Sequence, residues 1–157
     1  MSISTVAQNR ASDAGRTLAH EAGLTARLVP LGRALFAAIF VQASVAHFAP
    51  QTIAYAAHQG VPMANLVVPA SGVLALLGGL SVLLGFRAKV GALLLVLFLV
   101  PVTFTMHNFW AVQDPMMALM QQAMFMKNLS MLGGALLIAY FGSGPASLDR
   151  RSRLGSS

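Results

Sequence analysis

Cysteine is absent from this 157-residue chain, so it can neither run a thiol-disulfide cycle nor supply thiolates to an iron-sulfur cluster. Acidic residues are almost as scarce, with four Asp and Glu against ten Lys and Arg, and charged residues together make up 9%. Neither a phosphate-loop pattern nor a Ser-His-Asp arrangement can be argued from the spacing. The alternating ten-residue pattern of an outer-membrane barrel is also missing. What remains is 57% hydrophobic, more apolar surface than one soluble core could hide, and lipid must serve as its solvent.

Four apolar stretches run approximately over residues 31–49, 65–84, 88–106 and 120–141. Each is close to the roughly 20 residues that carry a helix across about 30 Å of hydrocarbon. Segments such as Gly91-Ala-Leu-Leu-Leu-Val-Leu-Phe-Leu-Val100 are apolar on every side, which suits a buried or lipid-facing helix. The expected fold is an all-α integral membrane four-helix bundle over residues 30–142, with a polar tail (1–29) before it and a basic tail (143–157) after it. The first apolar run is too long for a signal segment and is kept as structure. Ser12 or Asp13 could cap a short helix presenting Leu18, Leu24 and Leu28, with a loosely ordered tail as the alternative. The C-terminal tail reads as a solvated end without structure.

Basic residues set the orientation. Arg10, Arg16 and Arg27 precede the first span, Arg87 and Lys89 fill the middle loop, and Arg150, Arg151 and Arg153 close the chain, while the other loops carry no Lys or Arg. The positive-inside rule then places both termini and the middle loop in the cytoplasm, N-in and C-in. A pI near 11.3 follows from charges at the membrane edge without interleaved aromatics, which points to anionic lipid head groups and not to nucleic acid.

Small residues mark the packing. Ser71, Ala75 and Gly78, flanked by Gly72 and Gly79, form a stripe on the second span, and Gly133 and Gly134 widen a small surface on the fourth. These two helices are expected to be neighbours. Pro101 should bend the third span, with Thr103, Thr105 or water taking up the backbone groups it frees.

Ionisable groups in hydrocarbon cost at least about 2.5 kcal/mol near the centre, so they direct the search for function. At about 1.5 Å per residue, His47 lies about 24 Å along the first span, His107 about 28 Å along the third and Lys127 about 21 Å from the inner end of the fourth. Asn108, Trp110 and Asn128 fall in the same layer, and Asp114 in the outer loop is placed to reach Lys127. The candidate ligand site is therefore His47, His107, Asn108, Trp110, Lys127 and Asn128, under the outer leaflet, with no catalytic residue assigned. Each has a structural reading beside it. Lys127 can snorkel or pair with Asp114, Trp110 can anchor at the interface, the histidines can be satisfied by neighbours, and Arg33 can snorkel to phosphate. Met63, Met106, Met116, Met117, Met120, Met124 and Met126 near His47, His58 and His107 would suit Cu(I), but methionine also fills irregular gaps and the spacing matches no dedicated motif. No metal site is assigned.

Leu31-Gly-Arg-Ala-Leu-Phe-Ala-Ala-Ile-Phe40, Leu76-Leu-Gly-Gly-Leu80 with Gly85, His107-Asn-Phe-Trp110 and Lys127-Asn-Leu-Ser-Met-Leu-Gly-Gly134, in this order, resemble the DoxX family over about residues 28–149. The resemblance implies a four-helix protein of the bacterial inner membrane, an oxidoreductase or a membrane partner of redox enzymes. Arg33, His107, Asn108, Trp110, Lys127 and Asn128 match positions typical of that family. Ala75 stands where an acidic residue is expected and His47 where a lysine is, which adds weight to an assembly role. Three functions follow: a redox-associated subunit with a quinone-like ligand in the outer cluster, a non-catalytic anchor for a redox enzyme subunit, and a small-molecule transporter. The last would need polar residues through the full thickness, or a homo-oligomer to supply them.

Overall fold

The structure, a computed structural model, describes residues 3–150, with side chains described from Ala26 onward. It is all-helical, and no strand occurs among the described residues. Helix α1 (Ile3–Ala46) is followed by a short α2 (Pro50–His58), α3 (Ala64–Leu84), α4 (Ala88–Met106), a single 3-10 turn (Phe109–Ala111) and α5 (Pro115–Phe141). Four segments are long and apolar enough to cross a membrane: Ala26–Ala46, Ala64–Leu84, Ala88–Ala111 and Pro115–Phe141. The protein is thus a four-span membrane bundle. Its two ends are called here the basic end, with Arg33, Gly85 and Ser143 together, and the far end, with Tyr55 and Gln121 together.

The N-terminal segment differs from both alternatives read from the sequence. It continues α1 without a break, so Ser12 and Asp13 lie inside a helix and not at its start. Pro30 is accommodated within the same helix. The apolar face assigned to Leu18 and Leu24 lies outside the described side chains. At the other boundary, α5 begins at Pro115, several residues before the expected 120. Asp114 explains the shift, because its carboxylate accepts the Met117 N–H at 2.7 Å while Pro115 takes the first helical position, where no N–H is needed.

Close approach follows the small residues, but to different partners than expected. Helix α3 packs against α1 and α4, and α5 packs against α4. A Cβ on Gly78 would stand 2.7 Å from Leu95 Cδ2 and 2.9 Å from the Gly91 carbonyl, and one on Gly72 would stand 2.7 Å from His47 Cβ. The stripe on α3 therefore serves both neighbours, and the expected α3–α5 pairing gives way to it. Gly134 makes room for the Phe36 ring of α1 instead, while Gly133 faces open space. Between the helices lies a core of Ala37, Phe40, Ala75, Val82, Ala92, Leu95, Phe98, Leu99 and Ala135.

Residues 143–150, which follow α5, are not the unstructured end that their composition suggests. Arg33, 5% exposed, donates to the carbonyls of Ser143 and, at 2.9 Å, Ala146. Asp149 accepts the Arg87 N–H at 2.7 Å and the Ala88 N–H at 3.3 Å, while its own N–H donates to the Gly85 carbonyl at 2.9 Å. Residues 143–149 thus close over the basic end and cap α4 from a distance in sequence. Gly85 ends α3 at φ 64 and lies so close to Arg33 and Ser147 that a side chain has no room.

Candidate functional site

No hydrogen bond or ring contact among the described residues joins any two of the six candidate residues. His47 directly follows α1, its Nδ1 2.9 Å from the Ala43 carbonyl and its ring edge-on to Phe98 at 5.5 Å. A carbonyl oxygen only accepts, so that contact puts a proton on Nδ1. Trp110, 59% exposed, stacks edge-on with Phe109 and Phe125 in an aromatic group that extends to Phe104. Asn108 leads into the 3-10 turn beside it, and Asn128 is buried on α5.

Lys127 is exposed, and its Nζ lies 3.3 Å from Met124 Sδ, one turn toward the far end. The expected Asp114–Lys127 pair is not among the contacts of the described residues. Both belong to α5 and its cap, thirteen positions apart, which is about 20 Å of helical rise. Asp114 is spent on the helix N-terminus, and Lys127 adopts the snorkelling posture.

His107 has a partner that the sequence reading missed. Its Nδ1 is 2.7 Å from Gln121 Oε1, Gln121 Nε2 lies 3.4 Å from the Tyr55 hydroxyl, and Gln59 Nε2 donates to that hydroxyl at 2.8 Å. An amide oxygen only accepts, so His107 donates to Gln121 Oε1 from Nδ1. This chain of side chains ties α2, the end of α4 and α5 at the far end. Its glutamines and tyrosine sit in segments that hydropathy treats as loop or uniform helix, so only the register of the short α2 could have pointed to them.

Next to the network opens a groove of about 630 Å³, framed by α2, α3 and α4. Leu66, Val67, Leu74, Leu97, Phe98 and Val102 form much of its wall, and His47, Thr52, Gln59, Ser71 and Thr105 bring polar atoms to it. Of the six candidates, His47 alone lines it. Helix α4 carries Pro101 through the groove wall without ending. The hydroxyls of Thr103 and Thr105 donate to the carbonyls of Leu99 and Pro101, so neither takes up the Leu97 carbonyl whose helical donor the proline removes. That acceptor lies between two groove-lining residues. The arrangement suits an amphipathic guest: an apolar body against the leucine and valine wall, and hydrogen-bonding atoms at the rim and partway down. No three His, Cys, Asp or Glu among the described residues are grouped to hold a metal ion.

Residues 61–154, from the start of α3 through the closing segment, match the model of the SURF4 family. The chain belongs to the SURF4 family. It is 35% identical over 96 residues to the inner membrane protein YqjF of Escherichia coli (strain K12), covering 61% of this chain and 68% of that protein. To the inner membrane protein YphA of the same organism it is 30% identical over 100 residues, covering 64% and 71%. A third relative, the ER-derived vesicles protein ERV29 of Saccharomyces cerevisiae, is 28% identical over 82 residues, covering 52% of this chain and 26% of that protein. No solved structure matches.

The SURF4 match overturns the DoxX resemblance. The matched region includes three of the four segments on which that resemblance rested, the Leu-Gly-Gly, His-Asn-Phe-Trp and Lys-Asn-Leu ones. Their small residues serve close helix approach here, at Gly78 and Gly134 above all, a requirement of tight membrane bundles generally. With the DoxX assignment goes the support it lent to an oxidoreductase role.

Proposed function

We propose that this SURF4 family member is a ligand-binding protein of a bacterial inner membrane, lying with its basic end in the cytoplasm and holding a lipid-soluble amphipathic molecule in the groove between α2, α3 and α4. The groove itself carries the reading. Its volume of about 630 Å³ is that of a small-molecule site, its wall is mostly apolar and its polar groups are few. It opens beside the far-end network, so a guest could enter sideways from the outer leaflet with its head near Gln59, Thr52 and His47. Binding needs no catalytic group, and the protein serves a partner by presenting or retaining the ligand. A quinone fits this chemistry through its ring and carbonyls, with the Leu97 carbonyl as a further acceptor for a hydroxylated form.

The test uses detergent-purified protein and two photoactivatable probes, a ubiquinone analogue and palmitate. Saturable labelling of groove residues by at least one probe is expected, reduced at least fivefold by Val67→Trp, which fills the groove from an exposed position, and unchanged by Lys127→Ala. Labelling that does not saturate, or that Val67→Trp leaves intact, sinks the reading.

A second reading is capture of a partner protein at the far end. The name of ERV29 places that relative on vesicles, and Trp110, Met116, Met117 and Leu119 expose 48–70% of their surface there. Methionine-rich surfaces adapt to varied partners. Deleting side chains at Met116 and Met117 would abolish such capture while leaving groove labelling intact.

A further inference from the structure

At the basic end, Arg87, Lys89 and Arg150 line a cavity of about 780 Å³ whose remaining walls include Ser143, Ser147, Val90 and Phe141. We propose that this cavity binds the phosphate-bearing head group of an anionic phospholipid.

Charge is the first support. Three cations face one carboxylate, and that carboxylate, Asp149, is already engaged as the cap of α4 through the Arg87 and Ala88 N–H groups. The cavity keeps a positive surplus, and the start of the nineteen-residue α4 adds the positive end of a helix dipole. Anchoring is the second. Arg87 is held in a left-handed backbone conformation, φ 48, and its guanidinium lies over the Phe86 ring at 5.9 Å, so one cation is fixed to the end of the bundle. The closing segment, bonded to Arg33, fixes the opposite wall through Ser143 and Ser147.

Position selects a lipid over a soluble anion. The cavity sits where α3 ends, α4 begins and α5 ends, which is the membrane boundary of three spans. Val90 and Phe141 line it while exposing 53% and 74% of their surface. A head group seated among the cations would lay its glycerol and first methylenes against these apolar side chains, an apolar contact that inorganic phosphate lacks. Such a site is the structured counterpart of the general attraction between basic edges and anionic leaflets.

Thermal unfolding of the purified full chain in neutral detergent tests this, with dioleoyl phosphatidylglycerol, dioleoyl phosphatidylcholine or inorganic phosphate added in turn. Phosphatidylglycerol is expected to raise the midpoint by several degrees and to saturate, with the other two giving less than a third of that shift. The combined variant Arg87→Gln, Lys89→Gln, Arg150→Gln should lose the shift, whereas Arg27→Gln, a basic residue outside the cavity, should keep it. Should the triple variant fail to fold, Val90→Trp, which fills the cavity from an exposed position, is expected to lose the shift in its place. An equal shift with inorganic phosphate would overturn the lipid as occupant, and an equal shift with phosphatidylcholine would overturn head-group recognition. Retention of the shift by the triple variant or Val90→Trp, or its loss in Arg27→Gln, would show diffuse charge attraction and overturn the site.

Discussion

Arg33 is a buried cation whose role is to hold a piece of chain. Its two bonds to the Ser143 and Ala146 carbonyls join the first span to the segment after the last, and its Nε has no partner among the described residues. Replacement by Gln removes the reach and the fork of donors and gives up both charge-assisted bonds to the part-buried carbonyls, a loss of about 1–3 kcal/mol. Reversible unfolding in mixed micelles would register it, and Arg33→Lys should recover less than half, because a point charge cannot span both carbonyls. Asp149 acts at similar range. Asp149→Ala strips α4 of its cap and should cost about 0.5–2 kcal/mol in the same assay. Hydropathy could place Arg33 near the inner surface but could not reveal its partners, which are main-chain carbonyls 110 and 113 residues away.

The helices themselves were legible because a span is a one-dimensional signal: twenty apolar residues between polar ends. Their neighbours were not, since Gly72, Gly78, Gly79 and Gly134 announce close approach without naming the surface that approaches. Substitutions separate these cases. Gly78→Leu would force α3 away from Leu95 and the Gly91 backbone, and a loss of at least about 1–3 kcal/mol is expected. Gly133→Ala meets nothing within 4 Å and should be neutral or stabilising by up to about 1 kcal/mol through helix propensity. Equal losses at the two sites would contradict the packing order described above. Short elements escaped the sequence reading for a related reason. Helix α2 spans nine residues, too few for a periodic signal, yet it carries Tyr55 and is followed directly by Gln59, and with them come the far-end network and one wall of the groove. Of the six residues placed at one depth, His47 alone lines the groove, because equal depth on a bundle leaves the direction of each side chain open.

For the whole molecule, the proposed orientation is open to a direct experiment, made simple by the absence of native cysteine. Single cysteines at His58 and Gln113, both exposed at the far end, should react with an impermeant maleimide added to intact cells, and cysteines at Phe86 and Leu148 only after the membrane is opened. The opposite pattern would invert the bundle, placing the groove mouth in the cytoplasm. The closing segment also sets an order of events during synthesis. Helix α4 leaves the ribosome 62 residues before the carboxylate that caps it, and Arg33 enters the bilayer long before the carbonyls that receive its guanidinium. Until the final stretch emerges, the nascent protein holds an uncapped helix and an unsatisfied cation at the same end. A chain stopped at Gly142 should therefore be cleared faster by membrane proteases than one that carries residues 143–149, which makes this short segment a checkpoint on the assembly of the bundle.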